Sequence, residues 1–398
     1  MENITNVKIE TISPDDGYNY FFGYYDLQPY DVSGKRHLAH RVSFHDRLPK
    51  ADDICELGYI TIEDRVFHKV AESCAWNFQQ GCMLQWFDDE SIIFNDFRDG
   101  AYCAVIKQIK SGEERLICAP IANLSQDRRW GLSVNFSRIW NFRPGYGYCN
   151  IVDPYFDVEA PEEDGIFLVD IENNTSKLIL SYKQMSEAFP EEPYCSSKLV
   201  VNHITFNPSA SRFLVLLRNF KTETQKKWAT LLFTADRDGG DLYNISDYES
   251  NSHYHWKNDE EFMIFGGRND KFVRAMIFHT DKSREYWIPD NKQLNDYDIH
   301  CLYHPDKTCF IGDIYPQCNQ PYRGIVFYDL EKKVRRKVAN IYACEPPLGD
   351  CRCDLHTRFN RDGSYVSFDC KDDVGRTICQ FKFDKEAILA CDKPVDLW

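Results

Sequence analysis

HYHWKNDEEFMIFGGR, residues 253–268, repeats the pattern of HITFNPSASRFLVLLR, residues 203–218: a histidine, an aromatic three places on, and an arginine twelve places after that. Between aromatic and arginine stand turn-type residues and then a short apolar run suited to a strand. Stacked or radial units must repeat their core, but packing alone does not ask for a repeated histidine and arginine. The frame continues with His300 and Tyr303 ahead of HPDKTCFIGDIY, and with His356 and Phe359 ahead of NRDGSYVSFDCK. The steps from His203 to His253, His300 and His356 are 50, 47 and 56 residues, periods that belong to solenoids and propellers.

Three earlier places fit the frame without the histidine: Tyr30 opens YDVSGKRHLAH, Trp86 opens WFDDESIIFND and Leu124 opens LSQDRRWGLSV. After each of the seven frames comes an extended segment ending in a polar turn, at 58–64, 101–113, 165–175, 228–239, 273–283, 324–333 and 376–386. The two counts agree on an all-β fold, a seven-bladed β-propeller of four-stranded antiparallel blades in a single domain over 1–398. Such closure leaves no long exposed strand edge. VKIETIS (7–13) is expected to complete the last blade and so join the two ends of the chain. The 82-residue step from Leu124 to Phe206 is too long for one blade, so an insertion at about 139–164 is expected between the third and fourth repeat frames. Helical signal is weak, with one short helix expected in SYKQMSEAF (181–189).

Composition bounds the function. Hydrophobic residues are 43% and charged residues 27% of 398, which suits a packed globular chain. The first residues lack a basic start followed by an apolar run, and no apolar stretch approaches the roughly 18 residues of a membrane span. Sixteen cysteines without an export signal read as reduced thiols, and the cytoplasm is the expected compartment. A net charge of −15 argues against nucleic acid and against anionic lipid, so no nucleic-acid partner and no membrane insertion are expected. An anionic ligand would need a locally basic pocket.

The innermost strand of each propeller blade runs along a central channel, so equivalent positions converge. His203, His253, His300 and His356 are therefore expected around one site, where clustered imidazoles suit a transition metal. A histidine hydrogen-bonded within its own blade is the structural alternative. Twelve places after the frame aromatics stand Arg98, Arg218, Arg268 and Lys371, with Arg41 and Arg138 within two places of their equivalents. These six read either as blade salt bridges or as a ring of cations for carboxylate, sulfate or phosphate. FFGYYD (21–26), with Tyr25, and Tyr315 add aromatics near the same strand ends.

Taken together, His203-xx-Phe-x-Pro, His253-xx-Trp, His300 and DLHTRFNRDGSYVSFD resemble the oligogalacturonate lyase family, most clearly over about 200–372. The resemblance implies a cytoplasmic seven-bladed propeller that holds a divalent metal, usually manganese, and cleaves short uronate oligomers by β-elimination. It implies His203 as the base, and His253 and His356 among the metal ligands. Where the family has Gln-x-x-His-x-His, this chain has Cys351-Arg-Cys-Asp354-Leu-His356, which makes zinc as admissible as manganese. The expected metal set is His253, His300, His356 and Asp354. Arg218 and Arg268 would stabilise the anion, Tyr315 would protonate the leaving oxygen, and Arg41, Arg98, Arg138, Lys371 and Tyr25 would bind an anionic oligosaccharide.

Two other classes stay open at the level of sequence. One is a non-catalytic propeller that binds an anionic glycan or a protein partner. The other is a hydrolase or transferase using paired carboxylates, with Asp26, Asp96 and Asp313 as candidates. Phosphate-loop, serine-hydrolase and dinucleotide fingerprints are missing.

Overall fold

The computed structural model describes residues 2–3, 7–221, 229–268, 273–289, 297–316, 321–342 and 349–391, so residue 228 of the fourth outer segment lies outside them. Seven antiparallel blades form a β-propeller, six of them four-stranded and one five-stranded. Every frame found in the sequence is an inner hairpin of one blade. In the fourth blade, for example, Leu199–Phe206, Arg212–Asn219, Thr230–Asp236 and Tyr243–Glu249 follow one another as a meander.

The turn chemistry explains why the frame repeats. In three of the frames the residue after the aromatic is an Asp or Asn whose side chain caps the backbone of the returning strand. Asp31 Oδ1 accepts from the Lys35 and Arg36 amides at 3.0 Å each. Asn207 Oδ1 does the same for Ser211 and Arg212 at 3.0 and 3.1 Å, and Asn360 Oδ1 accepts from Tyr365 at 2.9 Å.

Packing divides the chain into two compact units: Met1–Ile93, Ile106–Glu114 and Asn291–Trp398 form one, Phe94–Val105 and Arg115–Asp290 the other. In the first unit, Ile9–Thr11 pairs with Arg376–Lys382, so the N-terminal strand completes the last blade as expected. Glu2–Asn3 also pairs with Val334–Tyr342 of the preceding blade, an addition the sequence did not announce. The core of this unit includes Ile311, Phe327, Val338, Phe359, Phe368 and Phe381, all buried. Each such side chain contributes about 1.5–3 kcal/mol of transfer free energy.

The second unit packs Leu214, Leu216, Leu232, Trp256, Phe262 and Ile277. Its insertion lies between Trp130–Ser133 and Gly165–Asp170 and contains a helix, Phe136–Phe142, capped by Asn135. The expected helix is Tyr182–Ala188, closed at its start by a capping box of Ser181 and Gln184. Lys385–Leu389, in the first unit, is a third short helix. These extra helices are a single turn or two, too short for hydrophobic periodicity to reveal them.

Candidate functional site

In the first unit, His300 stands on Ile299–Tyr303 directly opposite Asp313 on Cys309–Ile314. Its Nδ1 lies 3.0 Å from Asp313 Oδ2, so the proton sits on Nδ1 and the Nε2 lone pair faces away. Asp313 also accepts from the amides of Leu355 at 3.2 Å and Thr357 at 3.4 Å. One carboxylate thereby orients His300 and anchors the segment that carries Asp354 and His356.

His356 donates from Nδ1 to the Gly23 carbonyl at 2.7 Å, which fixes the same tautomer. Its Nε2 is buried without a hydrogen-bond partner. The backbone here has φ +48°, a left-handed conformation that non-glycine residues adopt at a cost of about 1–3 kcal/mol. The two imidazoles meet edge to face at 4.5 Å between centroids. Burial pushes the His356 ring well below the usual histidine range, helped by His300.

Asp354 completes the cluster. Ligand atoms of His300, Asp354 and His356 lie within 4.8 Å of one another, and all three residues are buried. Arg352 grips Asp354 with Nε at 3.1 Å and Nη2 at 2.6 Å, and Arg323 Nη1 lies 2.8 Å from its Oδ1. Burial alone would push this carboxyl up, but Arg352 and Arg323 outweigh it and hold the group well below the usual range. Tyr315 places its hydroxyl 3.4 Å from His300 Nε2.

The FFGYYD stretch is held against this cluster by a second buried pair. Asp369 accepts from the Phe22 and Gly23 amides at 3.1 and 3.2 Å and pairs with Arg358 at 2.9 Å. Arg358 also donates to the Gly23 carbonyl at 2.9 Å. Tyr25, fully buried, thereby comes within 5.7 Å of the His300 ring and 6.0 Å of the His356 ring, centroid to centroid.

These residues fit a divalent metal. The Nε2 of His356 is orphaned in the interior, the His300 ring stands beside it, and a carboxylate at hand has further lone pairs despite its arginines. Outer hydrogen bonds to a carboxylate and a carbonyl are the usual supports of metal-bound histidine. The nitrogen and oxygen donor set is compatible with manganese or zinc.

The second unit holds the other expected residues. His203 packs edge-on against Tyr254 at 4.7 Å, and His253 Nδ1 is 3.1 Å from Ser252 Oγ. Arg218 donates to Thr230 Oγ1 at 3.0 Å and the Asn251 carbonyl at 3.4 Å. Arg268 donates to Asn251 Oδ1 at 2.9 Å and reaches His279 Nε2 at 2.6 Å. Burial and Arg268 push His279 down to about 3, so it accepts as a neutral ring. Asn251 thus joins the two arginines of adjacent frames.

The remaining cations are engaged locally. Arg41 pairs with Glu56 at 2.6 Å, and Arg98 pairs with Asp96 at 2.8 Å. Lys371 reaches the Cys351 carbonyl at 3.4 Å. Arg138 is completely buried in the insertion, donating to the carbonyls of Leu199, Tyr155, Val158 and Glu159. Sequence reading missed Arg323, Arg352, Arg358, Asp369 and Asn251, none of which occupies the repeat position. Asp313 had a signal in the hairpin register, which pairs it with His300 across the turn.

No protein-family model matches the chain, and no curated protein matches its sequence. Solved structures do. An oligogalacturonate lyase in complex with manganese superposes with a TM-score of 0.70 at 13% identity, covering 97% of this chain and 96% of that one. The oligogalacturonate lyase of Vibrio parahaemolyticus gives 0.67 at 13% identity over the same shares of each chain. The β-propeller domain of the Trilobed protease from Pyrococcus furiosus gives 0.52 at 10%, over 94% of this chain and 100% of that one, so related propellers serve more than one chemistry. In fold, the chain is a distant oligogalacturonate lyase-like seven-bladed β-propeller.

Proposed function

We propose that the protein is a metal-dependent lyase that cleaves a short uronate-containing oligosaccharide by β-elimination. The observation that carries this reading is the His300, Asp354 and His356 cluster, with both Nδ1 atoms held by outer partners and the buried Nε2 of His356 without a hydrogen-bond partner. A fold shared with a manganese-bound oligogalacturonate lyase supports it.

His300, Asp354 and His356 would hold manganese or zinc, and His253 is carried as a further ligand on the strength of its motif. When bound, the cation supplies positive charge that stabilises the enolate-like state of the substrate. Arg323 and Arg352 already offset Asp354, so a loaded centre is cationic overall and selects a carboxylate. His203 is assigned to remove the C5 proton. The C4–O bond then breaks, the C4–C5 double bond forms, and the leaving oxygen takes a proton from Tyr315 or water. Arg218 and Arg268 are assigned to the substrate carboxylate, with Tyr25 against the sugar face. The fourteen described cysteines are all free thiols, which favours the cytoplasm.

Metal content by mass spectrometry tests the reading. Wild type is expected to carry about one divalent ion per chain, and a His300→Ala/His356→Ala variant close to none. Uronate oligomers incubated with loaded wild type should yield unsaturated product, detected by its ultraviolet absorbance, and His203→Ala should abolish it. A second reading is favoured by the two guanidinium groups at Asp354: a propeller that binds an anionic glycan without cleaving it. Metal-free wild type that binds uronate oligomers and never cleaves them would establish that alternative.

A further inference from the structure

The loop from Asn77 to Cys82 carries a polar group that the site as described does not use. Asn77 and Gly81 exchange backbone hydrogen bonds at 3.2 and 3.0 Å, and Asn77 Oδ1 accepts from the Gln79 and Gln80 amides at 3.0 and 2.8 Å. The loop is therefore rigid. Gly81 has φ +61°, and the imidazole of His40 fills the place a side chain would take.

This loop touches the supports of two cluster residues. On one side, the Gln80 backbone lies 2.9 Å from where a Cβ on Gly23 would stand, and Gly23 is the residue whose carbonyl orients His356. On the other, Gln79 Nε2 donates to the Arg352 carbonyl at 3.0 Å, and Arg352 grips Asp354. A carbonyl only accepts, so the amide orientation of Gln79 is determined: nitrogen toward Arg352, oxygen away. That oxygen is buried, in a residue 1% exposed, and has no hydrogen-bond partner. A buried amide oxygen without a partner calls for an explanation, and a bound ion or ordered water is a standard one. His356 Nε2, in the same region, is orphaned in the same sense. Both are acceptors, and one cation, with or without its water, would satisfy both.

We infer that Gln79 Oε1 is a further oxygen donor to the cation of the His300, Asp354 and His356 site, bound directly or through a water of the ion. The inference rests on the proposed reading of that cluster as a metal centre. It gives the site a neutral oxygen from the N-terminal third of the chain, which suits a hard cation such as manganese.

The test measures Mn²⁺ binding alone, by titration calorimetry and by the electron paramagnetic resonance of the bound ion, for wild type, Gln79→Leu and Gln79→Glu. Both variants lose the Nε2 bond to Arg352, and only the second keeps an oxygen. Gln79→Leu is expected to weaken Mn²⁺ about 10–100-fold and alter the spectrum, while Gln79→Glu binds at least as tightly as wild type. Equal weakening in both variants would mean that Gln79 acts only by positioning Arg352, and the inference falls. It falls likewise if Gln79→Leu binds as wild type does, with the metal centre itself intact. Wild type that binds no Mn²⁺ overturns the metal centre and the inference with it. Should Gln79→Leu fail to fold, Gln79→Met, closer in length and shape, carries the same comparison.

Discussion

Two regions built on the same repeat position have come to do different things. Around His300 and His356 the groups that converge include acceptors: an orphaned imidazole nitrogen and a carboxylate. Around Asn251 the arrangement is inverted. Two guanidinium groups from consecutive frames converge on one asparagine, and the histidine they meet, His279, lies on the third strand of its blade rather than at the repeat position. Repetition places residues, and their neighbours then decide whether a site asks for a cation or offers one.

Acid should break the comparison most strongly. Burial pushes His37 and His40 down to about 3 and His356 well below its usual range, so all three stay neutral in the first unit; the second unit has His279 in that condition. Unfolded histidine titrates near 6.5, so below that pH the unfolded chain binds protons the folded one refuses, and stability falls as pH falls toward about 3. The expected loss at pH 5 is about 2 kcal/mol per histidine, roughly three times as much in the first unit as in the second. Asp369, whose carboxyl burial pushes up, opposes this by one proton at most. Hydrogen exchange at pH 7 and pH 5 reads the two units separately, and equal loss in both would remove the distinction.

Arg358→Ala comes next. It leaves Asp369 buried without its ion-pair partner and removes one of the two donors to the Gly23 carbonyl, at an expected cost of about 3–5 kcal/mol in denaturant unfolding. Asp313→Asn is milder for the fold but should weaken metal binding about 10–100-fold, because the carboxylate behind His300 is gone. Asn251→Ala has the smallest effect, about 1–3 kcal/mol from a buried Arg268 donor and a buried Thr230 acceptor left without these bonds. Its metal affinity should stay at the wild-type value. A drop there would show that the second unit contributes a ligand, with His253 the obvious one, and the two regions would have to be treated as one site.

The blade frame was legible because it is local. Each hairpin has its large apolar residue, its polar turn and its apolar run within about a dozen residues, and those signals survive without knowledge of anything distant. The cation ring was legible only as a spacing. Arg218 and Arg268 do share a partner, whereas Arg138 turned out to organise the insertion loop from inside, because a buried guanidinium with enough carbonyls around it is a scaffold as readily as a binding group. Arg323 and Arg352, which bracket Asp354, carried no signal at all, since neither lies at the repeated position.

Sequence alone determined how many blades there are, where each turns, how the N-terminal strand closes the last one, and that four histidines recur at one position, since period and turn chemistry are properties of neighbouring residues. Tertiary structure decided which nitrogen of the His356 ring is left unpartnered, which arginines face Asp354, and that Gly23 stands behind His356 although 333 residues separate them. Hydrogen bonds of that reach depend on where the chain has been brought, and no local pattern encodes them.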